Sequence, residues 1–219
     1  MSGDGTAHFK VNAMSIPSKA ASPASGYGRG DNQIVKWIPT VDSTRFGIEL
    51  LGPPLRGADV GGRLRSIHVA DPQSTAFLIV RLAVFEYDDL LVAVTQAVSV
   101  SLTVKVCFSV DHRALPLINA DLLAHENVIF MLEISEENTP LSALTSDAIA
   151  ALRIDPDLAG RLSSDTRGAL LLEMLRNLAK EIGLASFGPW LQEGFGVPIK
   201  FDYVPEEAVN DVLSKHRLR

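Results

Sequence analysis

Between Val98 and Val110 apolar and polar residues alternate without a break. Val98, Val100, Leu102, Val104, Val106, Phe108 and Val110 are apolar, and Ser99, Ser101, Thr103, Lys105, Cys107 and Ser109 stand between them. Strict period two predicts a strand with one dry face and one polar face. At about 3.4 Å per residue it would run for roughly 40 Å. That length suits antiparallel sandwiches, barrels or broad sheets, and not doubly wound parallel folds, whose strands are shorter and apolar on both faces. Phe77 to Phe85 is apolar throughout except at Arg81 and predicts a central strand. Tyr87-Asp88-Asp89 then reads as a turn, with Leu90 to Val94 opening the next strand. Val128 to Ile134 predicts another, with Val128, Phe130, Leu132 and Ile134 on one face. Arg45 to Leu51 and Arg63 to Val69 are weaker strand candidates, punctuated by Pro53-Pro54 and Gly61-Gly62.

After Pro140 the period changes. Ser146 to Leu152 predicts a short helix that ends before Pro156. Ser164 or Asp165 can cap a longer one, along which Leu171, Met174, Leu175, Leu178 and Ile182 form an apolar stripe, with Gly183 placed to end it. A last helix is expected from Pro205, with Glu206 and Glu207 at its start and Lys215, His216 and Arg217 at its end. Residues 1–33 are rich in Ser, Ala, Gly and Pro, lack a hydrophobic period and predict a flexible N-terminal arm. The expected fold class is therefore α+β: one domain over 34–219, with an antiparallel sheet or sandwich at about 40–135 followed by a helical C-terminal region at 140–219.

Composition narrows this picture modestly. A hydrophobic share of 47% over 219 residues supports a substantial core. The net charge of -6 argues against nucleic acid or an anionic membrane as partner. Arg56, Arg63 and Arg65, around Gly61-Gly62, read as solvated loop charge. A single cysteine, Cys107, rules out an internal disulfide and fits a cytoplasmic or other reducing compartment. The N-terminus has no apolar signal core, and the apolar stretch from Phe77 to Val110 is cut by Arg81, by Glu86 to Asp89 and by Lys105, so no transmembrane segment is expected.

Candidate chemistry is sparse. Ser109-Val110-Asp111-His112-Arg113-Ala114 resembles the Asp-His-Arg segment of the acyltransferase core of 2-oxo acid dehydrogenase complexes. That resemblance implies a general-base role for His112 toward a coenzyme A thiol. The family's Asp-Gly three residues after the arginine is replaced here by Pro116-Leu117. The competing reading makes Asp-His-Arg the polar turn at a strand end.

A second resemblance is to EAL-type cyclic dinucleotide phosphodiesterases. It is carried by Leu152-Arg153-Ile154-Asp155 followed by Asp165, Arg167, a leucine-rich helix and Gly183-Leu184, and by Leu132-Glu133-Ile134-Ser135-Glu136, which looks like the family's metal-bearing Glu strand. The gap between these pieces is too short for the strands that should separate them. The paired-aspartate metal motif and the Glu-Ala-Leu signature are absent, and Glu49-Leu50-Leu51 is a poor stand-in. This resemblance implies a catalytically dead remnant.

The remaining motifs carry less. Arg29-Gly30-Asp31 spells an integrin-type tripeptide short enough to arise by chance. The histidines His8, His68, His112, His125 and His216 are dispersed and form no helix pair for a metal. There is no phosphate-binding glycine loop, no dinucleotide fingerprint and no nucleophile elbow. Sequence alone thus points to a non-catalytic assembly or interaction protein, viral structural or matrix-like or effector-like. It would need no cofactor or metal and would self-associate through its sheet or arm as a homo-oligomer, or bind a protein partner. The alternative is an enzyme with a site near His112, or the EAL-like remnant.

Overall fold

The computed structural model describes residues 34–40, 45–67, 72–100, 102–189 and 201–206. Eight strands close into a barrel in sequence order: β1 (Ile34–Pro39), β2 (Phe46–Leu50), β3 (Thr75–Arg81), β4 (Lys105–Val110), β5 (Val128–Ile134), β6 (Ala151–Ile154), β7 (Ala185–Phe187) and β8 (Tyr203–Pro205). Strands β2 to β8 run parallel to one another. β1 runs the opposite way and pairs antiparallel with both β2 and β8. Helices α1 (Gly57–Arg65), α2 (Tyr87–Ser99), α3 (Ala120–Leu123), α4 (Pro156–Leu162) and α5 (Thr166–Glu181) lie in the connections. Among the described residues no helix is long and apolar enough to cross a membrane.

Alternation along each strand sorts side chains between two cores. Trp37, Phe77, Ile79, Cys107, Met131, Ala151 and Phe187 point inward and pack together inside the barrel. Phe187 stacks on Tyr203 and meets Trp37 and Phe77 edge-on, so the interior is a packed aromatic plug rather than a pore. The other set, including Leu78, Val80, Val106, Phe108, Phe130, Leu132, Leu152 and Ile154, points outward. It packs against Val60 and Leu64 of α1, Leu90, Ala93, Val94 and Ala97 of α2, Leu158 of α4, and Leu172, Leu175 and Ala179 of α5.

The expected antiparallel sheet or sandwich followed by a helical region is therefore wrong. The sheet is closed and mostly parallel, and helices are interspersed among the strands from α1 to α5. The error starts at Val98 to Val110. Residues up to Ser99 finish α2, and the strand begins only at Lys105. Within β4 both faces are covered: Val106, Phe108 and Val110 by helices, Cys107 and Ser109 by the barrel interior. A face of Ser and Cys looked polar because small polar residues fit a crowded barrel lumen.

Three neighbouring expectations fail with it. Tyr87-Asp88-Asp89 is the first turn of α2, where two carboxylates favour the helix N-terminus, and not a turn before a strand. Arg63 to Val69 was expected as a strand, but Arg63 and Arg65 lie in α1. Ser146 to Leu152 leads into β6, the preceding turn being a 3-10 segment at Leu141–Thr145. Pro205 closes β8, and the helix expected to follow it lies outside the described residues, as does the arm at 1–33 with Arg29-Gly30-Asp31.

Candidate functional site at the barrel mouth

Parallel barrels carry their chemistry at the C-terminal ends of the strands. Here five consecutive strands each turn one polar side chain inward near that end: Glu49 from β2, Arg81 from β3, Ser109 from β4, Glu133 from β5 and Arg153 from β6. Their side chains form one connected polar network at the barrel mouth. Arg153 is the hub. Its Nη1 donates to Glu133 Oε1 at 2.7 Å, and its Nη2 lies 2.9 Å from Glu49 Oε1. Glu49 Oε2 accepts from Trp37 Nε1 at 2.8 Å, and Glu133 Oε2 accepts from Ser109 Oγ at 2.9 Å. The Arg153 guanidinium also sits 5.9 Å from the centre of the Trp37 ring.

Arg81 approaches the same two carboxylates from the solvent side. Its Nε is 3.9 Å from Glu49 and its Nη1 is 3.9 Å from Glu133. Its Nη2 donates to the carbonyl of Gly52 in the loop after β2. Two guanidiniums and two carboxylates thus cancel in charge. Burial is deep, with Glu49 1% and Arg153 4% exposed. Ions this dry persist only when paired, and here each carboxylate touches both arginines.

Beside Arg81 lies a cleft of about 340 Å³, lined by Leu50, Leu51, Gly52, Pro53, Leu55 and Arg63 together with Val80 and Arg81. Its walls are mainly aliphatic, with two guanidiniums among them. Arg63 reaches the Leu51 carbonyl at 3.3 Å. The cleft is built because Leu55 bridges to Leu82, which ties the loop after β2 to the loop after β3.

No protein-family model and no curated protein matches this chain. Solved structures do match. The EAL domain of FimX from Pseudomonas aeruginosa, bound to c-di-GMP, aligns with a TM-score of 0.56 at 14% identity, over 81% of this chain and 89% of that one. The fold is that of an EAL domain. The PaMucR phosphodiesterase in complex with c-di-GMP aligns with a TM-score of 0.52 at 12% identity, over 81% and 90% of the two chains. The EAL enzyme Bd1971, bound to cAMP and c-di-GMP, gives 0.51 at 10%, over 81% and 61%.

An EAL fold overturns the viral structural or matrix-like reading, which rested on a long-stranded antiparallel sheet that does not exist. Of the sequence expectations, the EAL-like alternative is the one whose fold agrees with the structure. Its two fragments, Leu132 to Glu136 and Leu152 to Asp155, fall on β5 and β6, which are direct neighbours. The short gap between them holds a 3-10 turn at Leu141–Thr145 and no strand, so it needs no further length. Glu49-Leu50-Leu51, discounted as a stand-in, puts Glu49 into the mouth layer.

Metal is the cofactor the EAL resemblance implies, and the donors do not fit it. Among the described residues no group of three or more His, Cys, Asp or Glu side chains converges. The two carboxylates that do converge already hold guanidiniums where a divalent cation would need them. His112 does not join the mouth network. It lies in the 3-10 turn after β4, with Nδ1 3.2 Å from Asp111 Oδ1. Asp111 caps that turn through the Arg113 backbone N–H and also takes the Arg113 side chain. The Arg113 hydrogen bond holds the Asp111 carboxyl below the usual carboxylate range, against the opposing effect of partial burial. Cys107 lies in the barrel interior, where burial and then the Glu49 charge push its thiol up.

Proposed function

We propose that this chain is a non-hydrolysing EAL-type domain that binds a cyclic dinucleotide at its barrel mouth without cleaving it. The observation that carries the reading is Arg153, lodged between Glu49 and Glu133 at 2.9 and 2.7 Å. Hydrolysis of a phosphodiester by this family needs carboxylates free to hold metal. In this mouth the carboxylates are neutralised by side chains of the same chain.

Binding rests on separate support. The cleft beside Arg81 offers aliphatic walls with arginine N–H donors at its edge, a combination suited to a flat organic body carrying phosphate acceptors, the net charge of Arg81 being already balanced by Glu49 and Glu133. Related structures carry c-di-GMP on the same fold. The test is paired. Calorimetric titration with c-di-GMP should show saturable binding that is the same with EDTA as with added manganese. Chromatography of the incubated nucleotide should show it intact under both conditions. Arg81→Ala should weaken binding by about tenfold or more, as expected for loss of a charged ligand contact. Manganese-dependent conversion to a linear product would end the non-hydrolysing reading; absence of binding would end the receptor reading and leave the first standing.

A further inference from the structure

The two arginines of the mouth are held in different ways. Arg153 meets Glu133 at 2.7 Å and Glu49 at 2.9 Å. Arg81 stands 3.9 Å from each of the same carboxylates, beyond hydrogen-bond reach. Its Nε is enclosed and has no hydrogen-bond partner among the described residues. A guanidinium this close to two carboxylates gains by closing onto them, because charge-assisted hydrogen bonds are the stronger kind. One contact opposes that collapse: Arg81 Nη2 donates to the Gly52 carbonyl. Gly52 and Arg81 both line the cleft.

The Gly52 carbonyl is aimed by a backbone that suits glycine. Gly52 has φ 134, which side-chain-bearing residues rarely adopt. Pro53 and Pro54 follow, each with its φ set by its ring. The loop is pinned on both sides of that carbonyl. The Leu51 carbonyl accepts from Arg63 Nη2 at 3.3 Å. Leu55 donates its N–H to the Arg81 carbonyl at 2.8 Å and accepts from the Ala83 N–H at 2.9 Å. The carbonyl is thus a fixed acceptor, and the Arg81 side chain is what adjusts to it. We infer that Gly52 is a positioning residue of the proposed ligand site: its carbonyl withholds Arg81 from Glu49 and Glu133 and keeps guanidinium N–H groups available at the cleft for a phosphate ester. The ligand in that statement rests on the receptor reading; the placement of Arg81 does not.

Gly52→Ala isolates the carbonyl. A Cβ there would meet nothing within 4 Å, so the change acts through backbone conformation alone. Calorimetric titration of the full chain with c-di-GMP should show affinity reduced by about five- to tenfold. In an Arg81→Ala background the same substitution should have no further effect, because the group it positions is gone. Nitrogen-15 NMR without nucleotide reads the geometry directly. In Gly52→Ala the Arg81 Nε–H should move downfield and exchange more slowly with water as it closes onto Glu49. An Arg81 Nε–H signal identical in the two proteins would overturn the assignment, and so would losses from Gly52→Ala and Arg81→Ala that simply add. If the wild type fails to bind c-di-GMP, the receptor reading falls on that result alone. The Nε–H comparison then still decides whether Gly52 holds Arg81 off the carboxylates.

Discussion

Replacing the hub of the mouth network tests how the buried charges are held. With Arg153→Met the side-chain volume is roughly kept, while Glu49 and Glu133 lose their closest counter-charge. Breaking a buried pair by removing one partner costs about 3–5 kcal/mol. Urea denaturation should show a loss of that order, and an unchanged midpoint would mean that the network contributes nothing. The double change Arg81→Met/Arg153→Met leaves two carboxylates in one layer without a cation. Manganese should then raise the melting temperature above its value in EDTA, while the wild type responds to neither. Cys107 offers a simpler check on the interior. Its thiol is enclosed and pushed up by burial, so a disulfide reagent should modify it only at the rate of global unfolding. Of the mouth residues, Arg81, Glu133, Arg153 and Glu49 are each conspicuous in the sequence, Arg81 as the one break in an apolar strand. Their convergence is not legible there, because it depends on which strand ends share a layer. The available signal was one inward polar residue near the end of each of several short apolar strands.

At the scale of elements, β3 and β5 are legible as strands because apolar runs of five residues with β-branched and aromatic members fit little else. α5 is legible from its cap, Asp165, and from Gly183, which has φ 80. α1 and α2 are not. α2 contains Leu90, Ala93, Val94 and Ala97 at helical spacing, but Val92, Val94 and Val98 give it the composition of a strand. α1 contains three glycines, two of them a Gly-Gly pair that reads as a turn. Packing decides the matter: a Cβ on Gly57 would lie 2.2 Å from the Asp89 carbonyl oxygen, so the close approach of α1 to α2 requires glycine there. At Gly62 the same test finds open space. Opposite effects should follow. Gly62→Ala should stabilise the protein by about 0.5–1 kcal/mol through helix propensity. Gly57→Ala should destabilise it, since backbone cannot move aside as a side chain can. Thermal melts of both variants check the pair, and equal shifts of the same sign would mean that α1 does not pack on α2 this closely.

The whole molecule depends on closing a ring whose last two strands, of three residues each, are its shortest. β8 contributes three residues, pairs with β7 at Phe187 and Tyr203, and completes the barrel on β1 through Trp37, Ile38 and Pro39. No local pattern in the sequence announces closure, because pairing the first strand with the last is a property of the assembled sheet. The link is reinforced by polar contacts. Asp202 Oδ2 accepts from the Ser186 N–H at 2.9 Å and from its hydroxyl at 2.8 Å, while the Asp202 N–H donates back to Ser186 Oγ at 3.1 Å. Next to them Phe201 and Val204 are fully enclosed in the outer core. Two variants separate the polar clamp from closure itself. Asp202→Ala removes the acceptor of two hydrogen bonds and leaves a buried hydroxyl short of a partner, a cost of about 1–3 kcal/mol. The barrel should remain closed, with a lower midpoint and an unchanged denaturant slope. Ending the chain before Phe201 removes β8 and opens both β7 and β1. The aromatic plug of Trp37, Phe77 and Phe187 would then face water, so cooperative unfolding should be lost and a dye that binds exposed apolar surface should bind strongly. A truncated chain that still melts in one sharp transition would mean that the seven remaining strands hold the barrel without closure.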